Sequence, residues 1–142
     1  MSSTIPEETN RIFASAPFAA HLGLRLESVG PGECTSVLPL EPRHLQQDGF
    51  VHAGVQATMA DHTAGGAAAT LLRKGQYVLS AEFKINLLRA AKGERLICRA
   101  RVLKAGAQLT VAESEVFCVA SGAERLVSKA TVTLAVISPR ST

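Results

Sequence analysis

Hydrophobic and polar positions along this chain predict strands over six stretches and run together in one. Leu24 to Val29 reads Leu-Arg-Leu-Glu-Ser-Val, the pattern of a half-buried strand, and Gly30-Pro31-Gly32 is a turn into a second strand over Glu33 to Leu40, closed by Pro39 and Pro42. Arg43 to Gly49 reads as loop. From about Ala53 to Leu72 there is no proline and alanine recurs, which predicts one helix of about 18–20 residues, ended by Arg73-Lys74-Gly75 with cations at its negative end. Strands follow over Tyr77 to Leu88, Glu94 to Lys104, Leu109 to Val119 and Arg125 to Ile137, with glycine-bearing turns between them. Before all of these, Ser3 or Thr4 caps a short helix with Pro6 in its first turn and Ile5, Ile12 and Phe13 on its inner edge, and Pro17 interrupts it. The last strands, about 10–12 residues each, exceed the usual five or six. Long antiparallel strands around one lone helix predict an α+β fold: a curved sheet of five or six strands wrapped on a central helix, one domain over residues 1–142.

The long helix is poor in large side chains, so it reads as a central element that lets other backbones come close. At about 100° per residue, Ala57, Asp61, Gly65 and Ala68 share one face. An acid in a stripe of alanine and glycine needs a reason, because an unpartnered buried carboxylate is costly. His52, nine residues earlier, falls half a turn out of phase with Asp61. Any cooperation between the two ends of this segment therefore calls for a second copy of the chain, with two such helices side by side.

Composition narrows the classes. Hydrophobic residues make up 46% and charged residues 19%, which points to an ordered globule. Aromatics are 4% with no tryptophan, which disfavours a platform that stacks bases and hence nucleic-acid binding. A net charge of +3 is mild and suits an anionic small molecule. Cys34, Cys98 and Cys118 are odd in number and far apart, without C-x-x-C, and read as reduced core thiols. The polar N-terminus has no apolar signal core and no stretch is long enough to span a membrane, so a cytoplasmic location is expected.

The segment His52-Ala53-Gly54 followed by Asp61, together with Ser80-Ala81-Glu82-Phe83-Lys84-Ile85-Asn86-Leu87-Leu88-Arg89 and Lys92-Gly93-Glu94, resembles the PaaI-like acyl-CoA thioesterases of the hotdog fold over roughly residues 20 to 137. The resemblance implies that Asp61 is the catalytic carboxylate, as nucleophile or as general base for water. It implies that Gln46 lies near the thioester or the attacking water, that the Ala53 amide polarises the thioester carbonyl, and that Ser80 assists the water. It also implies a site between two subunits, in a homodimer or a homotetramer built as a dimer of dimers. The family carries glycine where Ala53 stands here; the N–H is kept and a methyl is added.

The chemistry is coherent on elementary grounds. A thioester carbonyl needs donors where negative charge develops, and a helix start offers free N–H groups, here those of Ala53 and Gly54. A base or nucleophile must lie within a few ångströms. His52 reads either as part of this site or as a cap on the helix, and His44 and His62 read as structural. No metal is expected, since the histidines lack a ligand spacing such as H-E-x-x-H, and no cofactor is called for. The basic run Lys84, Arg89, Lys92, Arg95, Arg99, Arg101 and Lys104 reads as a solvated strand face or as a landing site for coenzyme A phosphates, with Arg89 and Lys92 as the candidates. Two other functions fit the same fold: an enoyl-thioester hydratase or dehydratase, whose D-x-N-P-x-H type signature is missing, and a non-catalytic acyl-CoA-binding protein. An isomerase-type α+β barrel would more often carry its acid on a strand.

Overall fold

The computed structural model describes residues 4–139. In chain order it contains α1 (Glu7–Ser15), α2 (Pro17–Leu22), β1 (Arg25–Gly30), β2 (Glu33–Pro39), a 3-10 turn (Pro42–His44), α3 (Ala53–Ala69), β3 (Tyr77–Leu87), β4 (Arg95–Ala105), β5 (Leu109–Ala120) and β6 (Ala123–Ile137). The six strands form one antiparallel sheet in the order β1-β2-β4-β5-β6-β3. This is the sheet wrapped on one central helix that the strand pattern predicts, and it is the hotdog architecture that the resemblance implies.

α3 is the filling of the sheet. Eleven of its 17 residues are buried, among them Met59, Ala60, Ala64 and Ala67, so it has no wide polar stripe of the kind a surface helix shows. The even-numbered residues of the middle strands meet it: Leu96, Cys98 and Ala100 on β4, Ala112, Ser114 and Val116 on β5, Ala130, Val132 and Leu134 on β6. Small hydroxyls tie helix to sheet. Ser114 Oγ donates to the Ala60 carbonyl at 2.7 Å, and Thr63 Oγ1 donates to Met59 O at 2.6 Å while receiving Ser36 Oγ at 2.7 Å. The three cysteines are free and buried, and burial pushes the thiols of Cys34 and Cys98 up to about 12.

Two boundaries differ from expectation. α3 stops at Ala69, because the amides of Thr70, Leu71 and Leu72 bond three residues back and wind the end into a tighter turn. Arg73 and Lys74 thus lie beyond the helix, and its terminus is held by the Thr70 hydroxyl, which donates to Ala67 O and accepts from Gly32 N, each at 2.7 Å. At the other end of the chain Pro6 is the N-cap of α1, with no side-chain cap; Thr4 does not take that role and Ser3 lies outside the described residues. α1 packs across α3 through Phe13, whose ring stands edge-on to His62 with centroids 4.9 Å apart, and through Thr9 Oγ1, which donates to Gly66 O. Gly66 permits the approach: a Cβ there would stand 2.7 Å from Phe13 and 2.8 Å from Cys34 Sγ.

Candidate active site

Asp61 sits in the middle of α3, half-buried, where the helix passes β3. Its Oδ1 accepts a hydrogen bond of 2.5 Å from Ser80 Oγ, which joins two of the residues singled out in the sequence. Ser80 faces the helix because β3 carries a bulge between Ser80 and Glu82. Val78 and Ser80 precede it opposite Val136 and Leu134, and Phe83, Ile85 and Leu87 follow opposite Val132, Ala130 and Ser128. The extra residue shifts the alternation by one and brings both sets to the inner side. Around this pair opens a cleft of about 550 Å³, lined by Ile12, Ala16, His62, Gly65, Val78 and Leu79 among others. On its other side Asp61 lines a smaller groove with Ala57, Thr58, Phe18 and Phe83; the two phenylalanines are 64% and 42% exposed, a large apolar area to leave in water.

His62, next to Asp61, points to α1. Its Nε2 donates to Ile12 O at 2.9 Å, and burial pushes its pKa below the ordinary value, against the opposing pull of that carbonyl and of Asp61. His44 is fully buried and spends both ring nitrogens on backbone: Nδ1 accepts from Glu41 N, Nε2 donates to Leu22 O.

A second cavity, of about 360 Å³, lies at the start of α3 and gathers Gln46, His52, Ala53, Leu87 and Arg89. Val51 N bonds Ala91 O and His52 N bonds His44 O, which fixes the helix start between the β3–β4 turn and the preceding loop. His52 is the N-cap: its Nδ1 accepts from Gly54 N at 2.8 Å. The amides of Val55 and Gln56 go to His52 O. Of the two amides anticipated at this helix start, that of Gly54 is therefore engaged, and among the described residues only the Ala53 N–H has no acceptor in the first turn. Gln46 Oε1 accepts from both Asp48 N and Phe50 N, which closes the turn ahead of the helix and leaves its NH2 as the outward polar group.

Asp61 and Ala53 lie eight residues apart on one helix, about 12 Å along its axis at 1.5 Å per residue. Reaction needs the attacking atom about 3–3.5 Å from the carbonyl carbon. Within one chain the two groups are therefore too far apart to meet at one reacting carbon. Of the basic run, Arg99 pairs with Glu124 and Arg101 with Glu113, each at 2.8 Å, on the outer side of the sheet. Arg89 lines the cavity beside Ala53, its backbone N–H donating a hydrogen bond to Val127 O. Lys92 lies exposed in the turn after it. Among the described residues no helix is long and apolar enough to cross a membrane.

Comparison with known proteins identifies the family and the fold. The family model of the thioesterase superfamily matches residues 48–123, the stretch from the helix-start turn to the beginning of β6. A thioesterase family protein from Silicibacter pomeroyi has 36% sequence identity, with 96% of this chain and 100% of that one covered and a TM-score of 0.92. A conserved protein of Pseudomonas aeruginosa has 30% identity over 86% of this chain and 94% of its own, with a TM-score of 0.79. A thioesterase of Haemophilus influenzae, at 22% identity over 97% of this chain and 93% of its own, shares the fold with a TM-score of 0.82.

Proposed function

This chain belongs to the thioesterase superfamily, and on that premise we propose that it hydrolyses acyl-coenzyme A at a site completed by a second copy of itself. It is a thioester hydrolase. The observation that carries the finer reading is the separation of the free Ala53 amide from the Ser80-bound Asp61 carboxylate on one helix. Two α3 helices packed antiparallel about Ala57 bring each Ala53 opposite the partner's carboxylate. The small residues on that face allow the approach, and Phe18 and Phe83 are covered by it.

In this arrangement the thioester oxygen lies on the Ala53 N–H, where the positive end of α3 stabilises developing charge. The NH2 of Gln46 supports the carbonyl or the water beside it. Ser80 holds the carboxylate of Asp61 against rotation. The carboxylate takes a proton from water, whose oxygen attacks the carbonyl carbon, or attacks that carbon itself to form an anhydride that water then opens. On either route the C–S bond breaks, the thiolate of coenzyme A takes up a proton, and the free acid leaves. Arg89, with Lys92 in the following turn, supplies positive charge for the phosphates of coenzyme A. The unpaired cysteines suit a reducing compartment such as the cytoplasm.

Two substitutions test the reading and keep the fold. Asp61→Asn is expected to lower kcat by about a thousandfold or more. Ala53→Pro removes the one free N–H at a first helical position, where proline is welcome, and His52 already has the extended conformation (φ −60°, ψ 139°) that a following proline requires. It too is expected to be inactive with an unchanged circular dichroism spectrum. Mixed and reassembled, the two dead variants should recover about a quarter of wild-type activity, since half of the dimers are then mixed and each mixed dimer has one intact site. No recovery, with exchange of subunits demonstrated, excludes a shared site; near-normal turnover by Asp61→Asn excludes the assignment of the acid.

A further inference from the structure

Gln56 is a long polar side chain in a position suited to an apolar one. It stands one turn beyond Ala53 on α3 and is 3% exposed. Its Oε1 is buried and meets no donor among the described residues. An unmet buried oxygen destabilises a fold, and methionine or leucine would fill the same volume without that loss. Gln56 nonetheless lines the cavity that holds Ala53, Gln46 and Arg89. The other side-chain acceptors on that wall are occupied. Gln46 Oε1 is used twice by its own turn and His52 Nδ1 is used by Gly54. Arg89 only donates.

We propose that Gln56 is a substrate-positioning residue whose carboxamide oxygen accepts the amide N–H nearest the sulfur of a pantetheine-type thioester. The inference rests on the thioesterase reading and on the thioester carbonyl lying at Ala53. Residues three apart on a helix have Cβ atoms about 5–6 Å apart, and Ala53 and Gln56 line one cavity, which puts the Gln56 side chain within reach of a group bound at the Ala53 N–H. In acyl-coenzyme A two methylenes separate the sulfur from the first amide nitrogen, and that N–H is the hydrogen-bond donor closest to the reacting carbon. An alkyl or aryl acyl group offers none. A buried oxygen that meets no donor within its own chain is thereby satisfied when the thiol half of the substrate is present, which anchors the leaving group and rewards substrates that carry the amide.

The test compares the wild-type protein with Gln56→Met on three thioesters of one acyl group: the coenzyme A thioester, the N-acetylcysteamine thioester, which keeps the amide, and the ethanethiol ester, which lacks it. Gln56→Met is expected to lower kcat/KM about tenfold on the first two and to leave the third within about twofold. Its Tm is expected to rise, because a buried orphan oxygen is replaced by hydrocarbon. Equal loss on all three with a lowered Tm assigns Gln56 to the fold and overturns the proposal. Undiminished activity on all three overturns it while the hydrolase reading stands. A wild-type protein that cleaves none of the three overturns both.

Discussion

Ser80 acts on Asp61 through one short hydrogen bond, and its contribution is measurable apart from the fold. Ser80 is exposed, so Ser80→Ala is expected to leave stability nearly unchanged and to lower kcat about tenfold, the size of one hydrogen bond to a charged group. His62 gives a different signal. Burial holds its ring below the ordinary 6.5, so the unfolded chain takes up a proton that the folded chain resists. Stability is therefore expected to fall as pH drops through and below about 6.5, and the urea midpoint of His62→Asn should depend less on pH across that window. The place of Asp61 on a face of alanine and glycine could be read from sequence by phase, while a catalytic role for it was implied by the family resemblance. The duties of Gln46 and His52 were only half legible, since both depend on hydrogen bonds closed within three-dimensional turns. Gln56 gave a weak signal that went unused: a long polar residue stands in phase with the buried Ala60 and Thr63, at a position suited to an apolar side chain.

The neighbouring glycines of α3 show how its packing differs from one turn to the next. A Cβ on Gly65 would have its closest contact with Leu134 at 4.0 Å, while one on Gly66 meets Phe13 and Cys34 below 3 Å. Gly65→Ala is thus expected to stabilise by about 0.5–1 kcal/mol through helix propensity, and Gly66→Val to destabilise by about 2 kcal/mol or more through overpacking, both read from denaturant midpoints. The helix itself was plain in the sequence, because proline is absent and alanine frequent. Its end was not: cations and a glycine mark Arg73 to Gly75, but the Thr70 hydroxyl and the contact with Gly32 stop it earlier. The bulge in β3 was hidden for a similar reason. Phe83, Ile85 and Leu87 alternate regularly, and the step that sets them in phase with Ser80 belongs to the pairing with β6.

At the scale of the molecule, the sheet ends on one side in β3, an 11-residue strand with a free edge, next to the exposed Phe83 and Leu87. If the site is shared between two copies as proposed, Phe83→Asp is expected to yield a folded protein that sediments as a smaller species and loses activity in proportion. The architecture was legible from strand lengths and one lone helix; the placing of β3 beside the last strand was not, since neighbours in sequence pair more often than distant ones. That placing has a consequence for how the protein is born. During synthesis α3 and β3 leave the ribosome with Asp61 and Ser80 already made, yet β3 has no strand to lie on until β6 has emerged some 40 residues later. The nascent chain therefore carries α3 and β3 without the strand that completes their packing until the last stretch of the chain is made, and the Asp61 carboxylate and its hydroxyl partner are fixed together only as the final strand zips into place.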